Sequence, residues 1–146
     1  MTVKDSTSKG RLWTARIMSG LFTVFMLFDG ITKLLKLESV IKPSMEMGFS
    51  VQHVVVIGVL GLISTILYAI PQTSIWGAVL ITGYLGGAIV THIRLDDPLF
   101  THTLSPVYFA IIAWGGLYLR DERVRNLFRF QNAKHANESK VDHNLT

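Results

Sequence analysis

The chain contains no cysteine, so disulfides, thiolate metal sites and CxxC redox chemistry are excluded from it. Charge is scarce as well. Asp, Glu, Lys and Arg make up 16% of the residues, and most of them sit in tails and loops. No set of three or four metal-ligating side chains falls at a recognisable spacing, so no metal is expected. A phosphate-binding glycine loop, a nucleophile elbow and an HExxH helix are all missing from the sequence. No catalytic residue is assigned, and the chain is not expected to be a catalyst on its own. The net charge of +4 comes without a continuous basic patch interleaved with aromatics, which argues against nucleic acid as a partner.

Apolar length is what the chain has in excess. Hydrophobic residues are 49% of it, and mean hydropathy is +0.40. Four stretches carry them: residues 12–35, 51–70, 74–93 and 103–119. Crossing a bilayer core takes about 20 apolar residues of helix, with a range of roughly 17–25, and all four stretches qualify. A soluble domain of this size could not hide so much apolar surface. The sequence therefore predicts an all-α polytopic membrane protein, an antiparallel four-helix transmembrane bundle whose first partner is the lipid bilayer. Residues 1–11 read as an N-terminal tail, 12–121 as the membrane domain, and 122–146 as a basic and then disordered C-terminal tail.

Positive charge sets an orientation. With four spans, both termini and the Pro71-Gln72-Thr73 connection share one side, which carries Lys4, Lys9, Arg11, Arg120, Arg123, Arg125, Arg129, Lys134 and Lys140. The other side carries only Lys36, Lys42 and Arg94. Lys and Arg near span ends favour the cytoplasmic face. The expected location is thus the inner membrane with both termini cytoplasmic. The basic start and the apolar run of residues 17–28 also fit a signal peptide, but Asp29-Gly30-Ile31-Thr32-Lys33 offers no small-x-small cleavage site. The first span is expected to remain uncleaved.

Between the spans, Pro43 and Gly48 are helix-breaking signals. Ile41, Met45 and Phe49, at i, i+4 and i+8, still allow a short interfacial helix. Ser105-Pro106 reads as an N-cap followed by proline at the first helical position, with Thr103-Leu104 entering in extended form. Residues 121–130 place Val124, Leu127 and Phe128 at helical spacing and suit the anionic inner leaflet. Residues 1–10 and 131–146 are expected to be disordered. Close helix packing is assigned to Gly58, Gly61, Thr65 and Tyr68 on one helix. On the next it is assigned to Gly77, Tyr84, Gly87, Thr91 and Arg94, beside Gly83-x-x-x-Gly87.

Inside the four spans only Arg16, Asp29 and Lys33 are charged. A charge at a span centre costs about 2.5–3.5 kcal/mol on insertion scales. Asp29 and Lys33 are four residues apart with the acid first, the favourable order for a pair on one helix face. They read either as a packing lock or as a site for a ligand or a proton. Topology also brings Thr91, His92, Arg94, Asp96, Asp97 and His102 to the outer end. His92 shares a face with Ala78, Ile81, Leu85 and Ala88, as a boundary histidine would. Asp96 and Asp97 read as turn residues ahead of Pro98.

Several segments resemble one family. Phe28-Asp29-Gly30-Ile31-Thr32-Lys33-Leu34 is similar to an FDGxxKL signature on a first membrane helix. Thr82-Gly83-Tyr84-Leu85-Gly86-Gly87-Ala88 with Thr91-His92-Ile93-Arg94 resembles a TGYLGGA…THxR segment on a third. Asp97-Pro98-Leu99-Phe100-Thr101-His102-Thr103-Leu104, Pro106-Val107-Tyr108 and Trp114-Gly115-Gly116-Leu117 resemble the loop and fourth helix that follow. Together they resemble the DoxX-like family of small bacterial four-helix membrane proteins, over about three quarters of the chain. The family pattern carries a glutamate where this chain has Gly61 and an arginine where it has Gln72, so the intramembrane glutamate that would point to function is missing. The resemblance implies a role near quinone-linked redox or oxidative-stress chemistry, with quinone as the implied cofactor. Ligand-binding or relay candidates are Asp29, Lys33, Tyr84, Thr91, His92, Arg94, His102 and Tyr108. Three roles stay open: an accessory or anchor subunit, a small-molecule or proton transporter subunit, and a scaffold recruiting a cytoplasmic partner. A partner protein or a second copy fits any of them.

Overall fold

In the computed structural model, which describes residues 9–127, the first apolar stretch forms α1 (Lys9–Leu34). A short helix, α2 (Glu38–Glu46), follows, and then come α3 (Val51–Ala69) and α4 (Ser74–Arg94). A single π-turn over Leu99–Thr103 leads into α5 (Ser105–Arg120). Residues 122–127 are again helical. No strand occurs among the described residues.

α1, α3 and α4, with 26, 19 and 21 residues, are long and apolar enough to cross a membrane. α5 has 16 residues and rises about 24 Å, short of a core of about 30 Å. The expectation for residues 103–119 is corrected at its start. Thr103 closes the π-turn, and Leu104 is not extended but lies in the right-handed helical region, at φ −89° and ψ −8°. Leu104 rather than Ser105 is the N-cap; the Ser105 hydroxyl donates to the His102 carbonyl. Residues 9 and 10, expected to be disordered, belong to α1. The disorder expected for residues 1–8 and 131–146, and the place given to Phe128, lie outside the described residues.

Three helix ends close alike. After α1, α2 and α4, the residues Lys36, Gly48 and Asp96 take φ of +52°, +88° and +54°. Each has the paired backbone bonds of a Schellman turn, such as Leu37 N to Thr32 O and Lys36 N to Lys33 O after α1. α3 starts on a reciprocal cap: His53 N donates to Ser50 Oγ at 3.3 Å, and Ser50 N donates to His53 Nδ1 at 3.4 Å.

α1 packs against α3 and α5, and α4 packs against the same two. Gly30 and Gly58 face each other where α1 meets α3, each too close to the other's carbonyl to carry a side chain comfortably. Gly61 leaves room for the Tyr84 ring, and Gly77 lies against the Tyr68 backbone. Tyr68, fully buried, meets the Phe22 ring edge-on at 5.4 Å. Its hydroxyl donates to the Ala113 carbonyl at 2.7 Å and lies 3.2 Å from Ser19 Oγ. All four positions expected to pack α3 (Gly58, Gly61, Thr65 and Tyr68) are buried. Gly83 and Gly87 do not pack as expected: each has open space where a side chain would stand.

At the end of the molecule that holds the α3–α4 turn, arginines satisfy orphan helix carbonyls. Arg120 donates to Tyr68 O at 2.6 Å and lies over its ring, 4.7 Å from the centroid. Arg123 binds the Pro71 carbonyl, and Arg125 binds those of Tyr118 and Leu119. Arg123 also pairs with Asp121 at 2.8 Å, and Ser74 donates to the same carboxylate. These hydrogen bonds, with Arg123's the largest, hold the Asp121 carboxyl below the usual carboxylate range. Two of the basic residues in the stretch expected at the anionic leaflet, Arg123 and Arg125, are therefore engaged by the protein's own backbone.

Candidate functional site

The last turn of α1 sets the site. Asp29 and Lys33 stand one turn apart on the face toward α3 and α4, and Lys33 Nζ binds Asp29 Oδ2. The Tyr84 hydroxyl on α4 completes a triad. It accepts from Lys33 Nζ at 3.1 Å and donates to Asp29 Oδ2 at 3.2 Å. The lack of a side chain at Gly61 is what lets the Tyr84 ring reach this point from α4. The Lys33 side chain is 15% exposed and that of Asp29 31%. Both line a cavity.

This cavity measures about 580 Å³. Its floor is the triad, its far wall is Ala88, Thr91 and His92 of α4, and Val54 and Ile57 of α3 close one side. α2 forms the roof. The expected short helix is there, but Val40, Pro43, Ser44 and Met47 face the cavity, while Met45 points outward at 55% exposure. No residue of α2 is buried. Gly87 lines the cavity too, and its missing side chain contributes volume rather than a helix contact.

Of the eight candidates, the structure brings five to this cavity: Asp29, Lys33, Tyr84, Thr91 and His92. The Thr91 hydroxyl is spent on its own helix, donating to Gly87 O at 3.0 Å. Arg94 stands at the rim and donates from Nη2 to Met47 O at 2.8 Å, tying the end of α4 to the end of α2. His102 lies behind His92, with ring centroids 6.1 Å apart, and does not line the cavity. Tyr108, on α5, is 47% exposed and outside it as well.

One partner escaped the sequence. Asp97, read as a turn residue, places Oδ2 2.7 Å from His92 Nδ1. The Schellman turn at Asp96 folds Asp97 back over the last turn of α4, and no local pattern announces that contact. The roof of the cavity was missed for a related reason, since helical spacing gives a helix without saying what it covers. Among the described residues, no group of three His, Asp or Glu could hold a metal ion.

A chain that is helical throughout its described elements, with three helices fit to cross a bilayer and an Asp–Lys–Tyr triad on a cavity between them, is a membrane protein of the small polytopic class. The model of the DoxX-like family matches residues 17–116, and the chain belongs to that family. No curated protein and no solved structure matches it.

Proposed function

We infer that the protein is an inner-membrane accessory subunit that binds a lipid-soluble ligand of quinone type beside redox chemistry carried by a partner. The observation that carries this reading is the cavity of about 580 Å³ with the Asp29–Lys33–Tyr84 triad on its floor. Ligand sites of this kind are largely apolar, with a few convergent polar groups that fix orientation. Val40, Pro43, Met47, Val54 and Ile57 supply the apolar walls, and Lys33 supplies a hydrogen-bond donor for a ring oxygen. The residues present therefore fit the quinone that the family resemblance implies. The redox chemistry belongs to that group and its partner, while this chain's residues bind, orient and exclude water.

The reading includes the architecture. α5 joins the three long helices as a fourth transmembrane element, giving an antiparallel four-helix bundle with residues 12–121 as the membrane domain. Contacts of α5 with both α1 and α4 support it. So does the run of paired positions, with Ser19 beside Gly116 and Phe25 stacked on Phe109 at 4.5 Å. The excess of Lys and Arg on the side of the termini supports a cytoplasmic placement of both.

The test is chemical. Protein purified from native membranes into nanodiscs should carry quinone enriched over the bulk lipid extract, read by solvent extraction and mass spectrometry. The paired replacement Asp29→Leu with Lys33→Met should remove that enrichment. Quinone at the bulk ratio in both samples would sink the reading.

A further inference from the structure

The hydrogen bonds of the triad leave two atoms unspent. A lysine ammonium has three N–H donors; Lys33 gives one to Asp29 Oδ2 and one to the Tyr84 hydroxyl. Its third N–H has no partner among the described residues. Both bonds accepted by Asp29 fall on Oδ2, and Oδ1 takes none. Oδ1 is also not among the side-chain atoms buried without a partner. It is therefore open, on a residue that lines the cavity. The floor thus presents a donor and an acceptor side by side, carried by a pair with no net charge.

That combination discriminates between ligand heads. A hydroxyl can donate to Asp29 Oδ1 while accepting from Lys33, so both spare atoms are satisfied at once. A carbonyl can only accept from Lys33, and its lone pairs then stand against those of Oδ1. A site built to bind a hydroxyl rejects the analogue without it, because the site's own polar atom is left unpaired.

Resting on the ligand-binding reading above, we propose that the cavity selects the hydroxyl form of a lipid-soluble ring, a hydroquinone, over the corresponding quinone. Asp29 Oδ1 is the acceptor that makes the distinction, and Lys33 is the donor common to both forms. Tyr84 is a positioning residue: it holds the two charged groups in register, and its own hydroxyl is spent on them.

The experiment is a pair of anaerobic calorimetric titrations in phosphatidylcholine nanodiscs, with decylubiquinol and decylubiquinone as probes of identical tail. Binding of the quinol is expected to be about tenfold tighter or more, the effect of one hydrogen bond to a charged group. Asp29→Leu with Lys33→Met should abolish the difference while melting as a folded protein. Tyr84→Phe, which keeps both spare atoms, should retain the preference. Equal affinity, or tighter binding of the quinone, overturns the inference and leaves ligand binding standing. A monoacylglycerol that binds as tightly as the quinol overturns the assignment to a ring. Failure of both probes to bind overturns the ligand-binding reading and this inference with it.

Discussion

At the scale of single residues, Asp29 and Lys33 depend on each other more than on anything else in the membrane. Lys33→Met alone strands the Asp29 carboxylate with the Tyr84 hydroxyl, and leaving one partner of a part-buried pair unsatisfied costs about 1–3 kcal/mol. Asp29→Leu with Lys33→Met removes the whole pair, and such replacements are often neutral. Thermal melting in detergent should therefore rank the single variant well below the double one. A double variant melting as low as the single would show that the pair does more than neutralise itself. Asp121 gives a second expectation, this time in pH. Its folded carboxyl titrates below the usual range, so its stabilising effect is complete above the unfolded value and is lost as pH falls through the folded one. Wild-type stability should hold down to about pH 4 and drop below it. Asp121→Asn should be weaker at neutral pH, and its melting curve should converge with the wild type in acid. Curves that stay a constant distance apart into strong acid would assign the effect to something other than the charge. The charged residues of the site were legible in the sequence because charge inside an apolar span is conspicuous. The partner of His92 was not, because Asp97 reaches it through a left-handed turn at Asp96.

Elements give a different measure of what a sequence discloses. The packing stripe of α3 was readable since Gly58, Gly61, Thr65 and Tyr68 recur at helical spacing and all four meet a neighbour. The same logic failed for Gly83 and Gly87. A GxxxG pattern states that a helix face is smooth, not that anything lies against it, and here both positions face open space. Substitution to alanine separates the two kinds of glycine. Gly77→Ala would drive a methyl group into the Tyr68 backbone, and neither helix can yield without breaking the α3–α4 contact. A loss of about 1–3 kcal/mol or more is expected. Gly83→Ala meets nothing within 4 Å and gains up to about 1 kcal/mol of helix propensity. Melting of the two variants side by side should show one fall and the other hold or rise. If Gly83→Ala proves as damaging as Gly77→Ala, that face is covered by another molecule in the membrane. α2 is the short helix that the spacing of Ile41 and Met45 allows, but periodicity does not say which side of it meets the protein.

For the molecule as a whole, the surface belongs in lipid. Trp76, Phe28, Leu21 and Ile111 are each more than 60% exposed, a display that a soluble monomer does not sustain. The orientation is checked by fusions after Thr146: alkaline phosphatase should be inactive there and a fluorescent protein bright. An active phosphatase would reverse the placement or change the number of spans. α5 is where whole-chain reading was weakest, because Pro106 and the π-turn before it shorten a stretch whose composition suggested a longer helix. Tyr68 has a further consequence, in the order of events during synthesis. It meets Phe22 of α1, lies against Gly77 of α4, bonds Ala113 of α5, and gives its own carbonyl to Arg120. α1, α3 and α4 leave the ribosome while the tyrosine's hydroxyl and carbonyl still await their last partners. Until Arg120 has been made, that polar centre is incomplete. The contacts that close the bundle around Tyr68 therefore form only when α5 arrives. A stop codon a few residues ahead of Arg120 would release a chain that has made every long helix yet leaves the Tyr68 carbonyl without its arginine.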